Sequence, residues 1–244
     1  TDLNRTSFST TYRTHPFNPL LNTTMSAKVY YYQATGRANV IRLALAAANL
    51  PFEDVYPSGF PPTEEDKVAW RKLGGNTTTN VPMLEMADGK VYTQSQAVLR
   101  AIGRMGNLTP KDDDGLYVTD KLIEDAESLR MESYKCFITW GAPQANADAF
   151  IETILPLHLG NLERQLKESS GGYFLGDSLT LADVACYDAV VNFGSNRVPL
   201  ALDAFPELKA WRGRVESGNE GIKKYLASDA YSGLMKFGPD SLGK

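Results

Sequence analysis

Hydrophobic and polar positions follow two different periods along the chain, and the change of period predicts where the secondary structure begins and ends. Residues 28–32 are β-branched and aromatic, which predicts a strand, and Gly36 after them indicates a turn. In residues 38–49 the apolar positions recur at helical spacing, as in a helix that buries one face. Residues 51–56 predict a second strand, so the regular part of the chain opens with a βαβ unit.

A third and a fourth strand follow, flanked by helices. The predicted limits are a helix over residues 63–70, strands over 81–86 and 91–93, and a helix over 94–104. Asp88-Gly89 between these two strands is typical of a tight hairpin. The resulting order, β-α-β-α-β-β-α, is that of a thioredoxin-like domain.

The second half of the chain shows helical periodicity only. Residues 117–230 predict helices separated by short breaks at glycine and proline. We therefore predict an α/β plus all-α fold class, with a thioredoxin-like domain over residues 26–106 and an all-helical domain over residues 115–235.

Residues 1–25 fit neither pattern and are interpreted as an N-terminal extension. They are rich in Ser and Thr, and a Met-Ser-Ala sequence begins at Met25. Two origins stay open: upstream or added sequence, or the remnant of an organelle-targeting segment, whose composition is similar.

Composition and charge exclude several classes of function. The net charge of -4 gives no basic surface for nucleic acid. The longest apolar stretch is shorter than the ~20 residues that a membrane-spanning helix needs. The two cysteines, Cys136 and Cys186, lack the spacing of a metal site or of a disulfide framework, so we expect reduced core thiols and no metal.

Tyr31 is the first candidate for chemistry, because it lies where the first strand meets the turn. It is the middle one of three consecutive tyrosines, and strand alternation predicts that Tyr30 and Tyr32 face the opposite side. A phenol can donate a hydrogen bond to a thiolate and so favour it over the thiol. The alternative is a packed tyrosine whose hydroxyl is satisfied by the backbone.

Two further positions could bind an extended ligand. A cis bond between Val81 and Pro82 would turn the Val81 backbone outward, where it could pair with a peptide-like molecule. Gln94 and Ser95 lie where a strand becomes a helix, and a helix N-terminus favours a carboxylate. An ordinary strand entry and an ordinary Ser cap are the alternatives.

Arg37 stands beside Gly36 at the mouth of the first predicted helix. We expect it to brace the turn that carries Tyr31, or to pair with an acid such as Glu124 or Asp120.

The order of these signals resembles a known family. Tyr-Tyr-Gln-Ala-Thr-Gly-Arg-Ala-Asn-Val-Ile-Arg (31–42), Val-Pro-Met-Leu-Glu (81–85), Asp-Gly (88–89) and Gln-Ser-Gln-Ala-Val (94–98) are similar to the glutathione-site motifs of tyrosine-type glutathione transferases. The sigma class, which includes prostaglandin D synthase and S-crystallins, is the most similar class.

The resemblance implies roles for ten residues. Tyr31 would activate the glutathione thiol, Val81 before Pro82 would pair with the cysteinyl backbone, and Gln94 with Ser95 would hold the γ-glutamyl carboxylate.

The resemblance also implies that Arg37 belongs to the glutathione site, together with four further residues. Trp70 and Lys72 fall near the positions that hold the glycyl end. Asn80 stands where relatives often carry a glutamine, so its amide is one carbon shorter. Glu124 would reach the glutathione of a neighbouring subunit, which implies a homodimer.

The implied function is an enzyme with glutathione as co-substrate, which adds the thiol to a small hydrophobic electrophile or isomerises a prostaglandin-like molecule. A cytoplasmic role in detoxification follows from the resemblance. The alternative is a non-catalytic structural or complex-bound subunit of the same fold.

In the helical half, Thr180 and Asp183 resemble the capping segment of the family. We expect Thr180 at the N-cap and Asp183 at the third position of the helix, where they satisfy backbone donors reciprocally.

Overall fold

The computed structural model describes residues 26–73, 80–137 and 143–236. The first part of the described chain contains the β-sheet. Its elements are β1 (Ala27–Tyr30), α1 (Asn39–Ala47), β2 (Phe52–Val55), α2 (Glu64–Arg71), β3 (Met83–Glu85), β4 (Val91–Thr93) and α3 (Ser95–Met105). The extension proposed for residues 1–25 lies outside the described residues.

The four strands form one mixed sheet in the order β2-β1-β3-β4. β1 and β2 are parallel, as a βαβ unit requires, while β3 is antiparallel to both β1 and β4. The β1–α1 connection contains a 3₁₀ turn at Gly36–Ala38. Thus the predicted thioredoxin-like order of elements is confirmed.

The described remainder of the chain is helical, as predicted. Its elements are α4 (Asp113–Phe137), α5 (Gln144–Ala149), α6 (Leu155–Glu168), α7 (Leu181–Asp188), α8 (Pro206–Gly218), α9 (Glu220–Leu226) and α10 (Asp229–Ser232). Two π-helical segments, Phe150–Ile154 and Ala189–Ser195, continue α5 and α7 and were not predicted. None of the helices in the described ranges combines the length and apolarity that crossing a bilayer requires.

The tyrosine triplet follows strand alternation only in part. Tyr30 packs with Trp70 and Met83 on one side of the sheet, and Tyr31 belongs to the main core on the other. Tyr32 was expected to share the side of Tyr30 and does not, since β1 ends at Tyr30 and the chain is already turning. Side chains alternate between the two faces of a sheet only within a strand, so alternation does not predict the side that Tyr32 takes.

A buried polar cluster joins the two halves. Asp188, at the end of α7, accepts hydrogen bonds from Arg130 Nη2 on α4 and from Asn39 Nδ2 at the start of α1, both at 2.8 Å. Tyr225 on α9 donates to Asn39 Oδ1 at 3.0 Å. Because all four side chains are buried, they place α1 against the helical half.

The capping box at α7 is confirmed. Asp183 Oδ2 accepts from the backbone and hydroxyl of Thr180 at 2.8 and 2.9 Å, and the Thr180 side chain accepts from the backbone N–H of Asp183. Asp183 Oδ1 also accepts from Phe174 N and from Trp211 Nε1. One buried carboxylate thus satisfies four donors from three places in the chain.

We predict that Asp183→Ala lowers the free energy of unfolding by about 2–4 kcal/mol, because it removes the cap and leaves buried donors unpaired. Denaturant titration followed by circular dichroism measures the change. Asp177→Ala, at an exposed acid of the same segment, serves as control and should stay within about 0.5 kcal/mol of the wild type. Equal losses in both variants would contradict the capping role.

Candidate functional site

The site is built around the turn that follows β1. Gly36 has a φ of +38°, and a Cβ at this position would lie 2.5 Å from the Tyr31 hydroxyl oxygen. Only glycine therefore allows the phenol to lie against the backbone here. The Arg37 backbone N–H donates to the Tyr31 hydroxyl at 3.1 Å. Since this hydroxyl accepts from the backbone, its own hydrogen can be donated to another group.

A polar cavity of about 620 Å³ opens beside Tyr31. Seven of the ten residues selected from the sequence line it, namely Tyr31, Arg37, Asn80, Val81, Pro82, Gln94 and Ser95. Three lining residues were not selected: Tyr32, Pro62 and Lys67. Residues from four separate segments of the thioredoxin-like half thus meet at one cavity.

The far wall of this cavity is the start of α3. Ser95 is its first residue and is buried, so the unpaired N–H groups of the first turn lie at the cavity. Gln94, directly before it, has a φ of +70°, a conformation that costs a non-glycine residue about 1–3 kcal/mol. Strain of this size next to a helix N-terminus is typical of a ligand site. The Val81-Pro82 bond is cis, which is one of the two alternatives that the sequence left open.

A second, apolar cavity of about 630 Å³ shares Tyr31 and Tyr32 with the first. Three further aromatic residues, Tyr56, Phe60 and Tyr134, contribute to its wall. Burial, together with the neighbouring Tyr31, raises the pKa of Tyr134, which keeps this phenol protonated at neutral pH. A polar and an apolar cavity therefore meet at the Tyr31 side chain.

The sequence offers four apolar candidates for a second-substrate pocket, Met105, Met131, Tyr134 and Trp140, and of those that the structure describes only Tyr134 lines this cavity. Met131 instead lies with its sulfur 2.9 Å from Arg37 Nη2, and Met105 is not part of the lining. Trp140 lies outside the described residues.

Arg37 braces the turn, but its acidic partner was not predicted correctly. Arg37 Nη1 bonds Glu127 Oε1 at 2.8 Å. The expected partners, Glu124 and Asp120, both bind Arg100 instead, at 2.8 and 2.7 Å. Glu127 is one helical turn beyond Glu124 on α4, so the general position was right and the residue was wrong.

Glu127 connects the turn to the core of the helical half. It also accepts from Gln96 Nε2 at 2.7 Å and pairs with the buried Arg130. Burial alone would raise the pKa of Glu127, but Arg130 and Arg37 outweigh it and hold the pKa below its ordinary value. The carboxylate is therefore charged wherever the fold is intact at neutral pH.

Three selected residues lie away from the polar cavity. Trp70 is 4% exposed and packs with Tyr30 and Met83. Lys72 is exposed and lines a separate shallow groove on α2. Glu124, with 63% of its side chain exposed, pairs with Arg100 on the surface.

The lysine that does line the cavity is Lys67, five residues before Lys72. Five residues rotate by about 140° around a helix axis, so the two lysines face different sides of α2. The signal that could have found Lys67 is this helical phase, counted from the Thr63 cap. No set of His, Cys, Asp and Glu side chains in the described ranges could hold a metal ion.

Comparison with known proteins agrees with the geometry. Residues 27–104 match the model of the family "Glutathione S-transferase, N-terminal domain", and residues 132–229 match "Glutathione S-transferase, C-terminal domain". The chain is 30% identical to glutathione S-transferase alpha-5 of Rattus norvegicus, over 81% of this chain and 87% of the relative.

Two more similarities extend across most of the chain. The class-mu 28 kDa isozyme of Schistosoma japonicum is 27% identical over 82% of this chain and 96% of its own length. The structure of the pi-class glutathione S-transferase of Onchocerca volvulus superposes with a TM-score of 0.70 at 26% identity, covering 83% of this chain and 92% of that one.

We predict that the ionised Glu127 stabilises the fold above its unfolded pKa, and that this stabilisation is lost as pH falls through the lowered folded pKa. Glu127→Gln should therefore cost about 1–3 kcal/mol of unfolding free energy at pH 7, and the difference from the wild type should shrink below about pH 4.5. Denaturant titrations from pH 7 to pH 3 test this. Glu124→Gln, an exposed acid of the same helix, should cost under about 1 kcal/mol. A pH-independent difference for Glu127→Gln would refute the assignment.

Proposed function

The chain belongs to the glutathione S-transferase family, and from that premise we propose that Tyr31 activates the thiol of glutathione for attack on a hydrophobic electrophile. Enzymes of this family use glutathione as co-substrate. The observation that carries the proposal is the position of Tyr31, whose side chain belongs to both cavities and whose hydroxyl accepts from the Arg37 N–H. Glutathione would fill the polar cavity and the electrophile the apolar one.

In the proposed reaction the glutathione thiol loses its proton to solvent, and the Tyr31 hydroxyl donates a hydrogen bond to the thiolate. Such a bond favours the charged form and lowers the thiol pKa. The sulfur then attacks an electrophilic carbon, and the leaving group departs with its electron pair. Isomerisation of a prostaglandin-like molecule would use the same thiolate.

The polar cavity supports one orientation of glutathione. Its γ-glutamyl carboxylate suits the α3 N-terminus at Gln94 and Ser95, and the Val81 backbone can pair with the cysteinyl unit. Two cationic side chains, Arg37 and Lys67, belong to the described lining of this cavity, and we assign the glycyl carboxylate to Lys67, whose ammonium also pairs with the exposed Glu64 at 2.6 Å. Trp70 and Lys72, which the family resemblance implied for that end, lie outside the cavity lining, so we assign the contact to Lys67.

The finer assignment rests on the motifs around Tyr31, Pro82 and Ser95. We place the protein with the tyrosine-type enzymes, with sigma class as the most similar class, acting in detoxification in the cytoplasm. We further propose a homodimer in which Glu124, exposed on α4, faces the glutathione of the other subunit.

Tyr31→Phe tests the central assignment. We expect kcat/KM for conjugation to fall about 100-fold or more, since the variant loses one hydrogen bond to the developing thiolate. The thiolate absorbance of bound glutathione should titrate at a higher pH, while retention on immobilised glutathione persists. Tyr32→Phe, which lines the same two cavities, is the matched control and should change kcat/KM by less than about fivefold.

The outcomes separate the two candidate functions. A wild type that is retained on the column but gives no turnover would indicate the non-catalytic subunit. Equal activity in the wild type and Tyr31→Phe would overturn the role of Tyr31.

Ser95→Ala should weaken glutathione binding about tenfold, seen as a higher KM for glutathione with little change in kcat, because the hydroxyl contacts the γ-glutamyl end and not the reacting sulfur. Steady-state kinetics with glutathione as the varied substrate measures this. Ser178→Ala, at an exposed serine of the helical half, is the control. A fall in kcat with an unchanged KM would place Ser95 elsewhere in the mechanism.

A further inference from the structure

The last described segment of the chain returns to the turn that carries Tyr31. Met235 N–H donates to the Gln33 carbonyl at 3.0 Å, and Thr35 N–H donates to the Met235 carbonyl at 2.9 Å. These two bonds form a parallel β-bridge between Ala34 and Met235. Residues 233–236 therefore act as a strap across the β1–α1 turn, some 200 residues away in sequence.

Side chains reinforce the strap on both sides. The Thr35 hydroxyl donates to the Met235 carbonyl at 3.4 Å, and Gln33 Nε2 donates to the Gly233 carbonyl at 3.3 Å. Leu234 is buried and anchors the segment. The backbone position of Met235 is thus determined by several bonds that do not involve its own side chain.

The Met235 residue is nevertheless 58% exposed, and it lines the apolar cavity together with Tyr31 and Tyr134. A large apolar side chain at a cavity wall loses this exposure when an apolar ligand covers it. Methionine is also unbranched and flexible, which lets it adapt to ligands of different shape.

We propose that Met235 is a specificity-determining residue that sets the upper size of the electrophile. The inference rests on the proposed function, since it assigns the apolar cavity to the electrophile. The strap holds the Met235 backbone against residues 33–35, and Met235 lines the same apolar cavity as Tyr31, so the length of the side chain at this position limits the space for the electrophile. Shortening it admits bulkier groups, and enlarging it excludes them.

The test compares two glutathione thioethers as stable product analogues, S-methylglutathione and S-(naphthylmethyl)glutathione. Dissociation constants are measured by calorimetry for the wild type, Met235→Ala and Met235→Trp. Both substitutions keep the backbone bonds of the strap. Met105→Ala is the matched control, because Met105 is partly buried and not part of the cavity lining.

Met235→Ala should strengthen binding of the naphthylmethyl thioether about threefold or more, and Met235→Trp should weaken it about tenfold, because space is gained or lost at the cavity wall. S-methylglutathione should bind all variants within about twofold, because a methyl group does not reach the strap. In steady-state assays, the two Met235 substitutions should change the KM of a bulky electrophile and leave kcat nearly constant.

Two other outcomes have distinct meanings. If both thioethers change by the same factor, or neither changes, Met235 does not select by size and the inference is overturned. If S-methylglutathione fails to bind the wild type, the proposed glutathione site fails, and the inference falls with it. Thermal melts of each variant ensure that the comparison is made between folded proteins.

Discussion

The Asp188 carboxylate, held by its buried ion pair with Arg130 inside the helical half, is the group on which the rest of the structure depends, because it also accepts a hydrogen bond from Asn39 of α1. The Arg130 and Asp188 side chains are 1% and 0% exposed, and the pair lies at the contact of α1, α4 and α7. Two buried charges contribute little net stability once their desolvation is counted, but leaving one of them unpaired costs about 3–5 kcal/mol. Packing arrangements that separate the two charged side chains are therefore disfavoured, and this holds the Asp188 carboxylate in the position where Asn39 of α1 bonds it.

This constraint reaches the candidate site through α1. Asn39, which bonds Asp188, directly follows the 3₁₀ turn at Gly36–Ala38. One turn further along the helix, the buried Arg42 bonds Asp54 on β2 and the carbonyls of Ala34 and Tyr32. The turn is thus held from the helix on its inner side and from the C-terminal strap on its outer side. These hydrogen bonds hold the backbone on both sides of the turn, and with it the position of the Tyr31 hydroxyl.

The sequence could predict those features that depend on neighbouring residues. The order of elements along the chain, the Asp88-Gly89 hairpin and the Thr180 cap each depend on local chemistry, and the structure confirms them. For the bond before Pro82 the sequence left two alternatives, and the structure has the cis form. Gly36 and Tyr31 were also found together, since they are five residues apart.

What could not be predicted depends on pairing across long separations in sequence. Whether Glu124 or Glu127 meets Arg37 depends on the rotation of α4 about its own axis, which the packing of Arg130 decides. Nothing in the residues next to Asn39 indicates that it is the buried link between α1, Asp188 and Tyr225. The bridge between Ala34 and Met235 carries no sequence signal, since two backbone hydrogen bonds do not depend on side-chain identity.

The shared position of Tyr31 between a polar and an apolar cavity has an energetic consequence for the proposed chemistry. Its side chain is 8% exposed, and its neighbours Tyr32 and Tyr134 are aromatic. A hydrogen bond is stronger where water is excluded, so the phenol would favour a thiolate more here than at an open surface. An electrophile in the apolar cavity would remove still more water. Binding of the electrophile would therefore strengthen the hydrogen bond from Tyr31 to the glutathione thiolate. Through this hydroxyl, occupation of the apolar cavity would affect the reactivity of the thiol in the polar one.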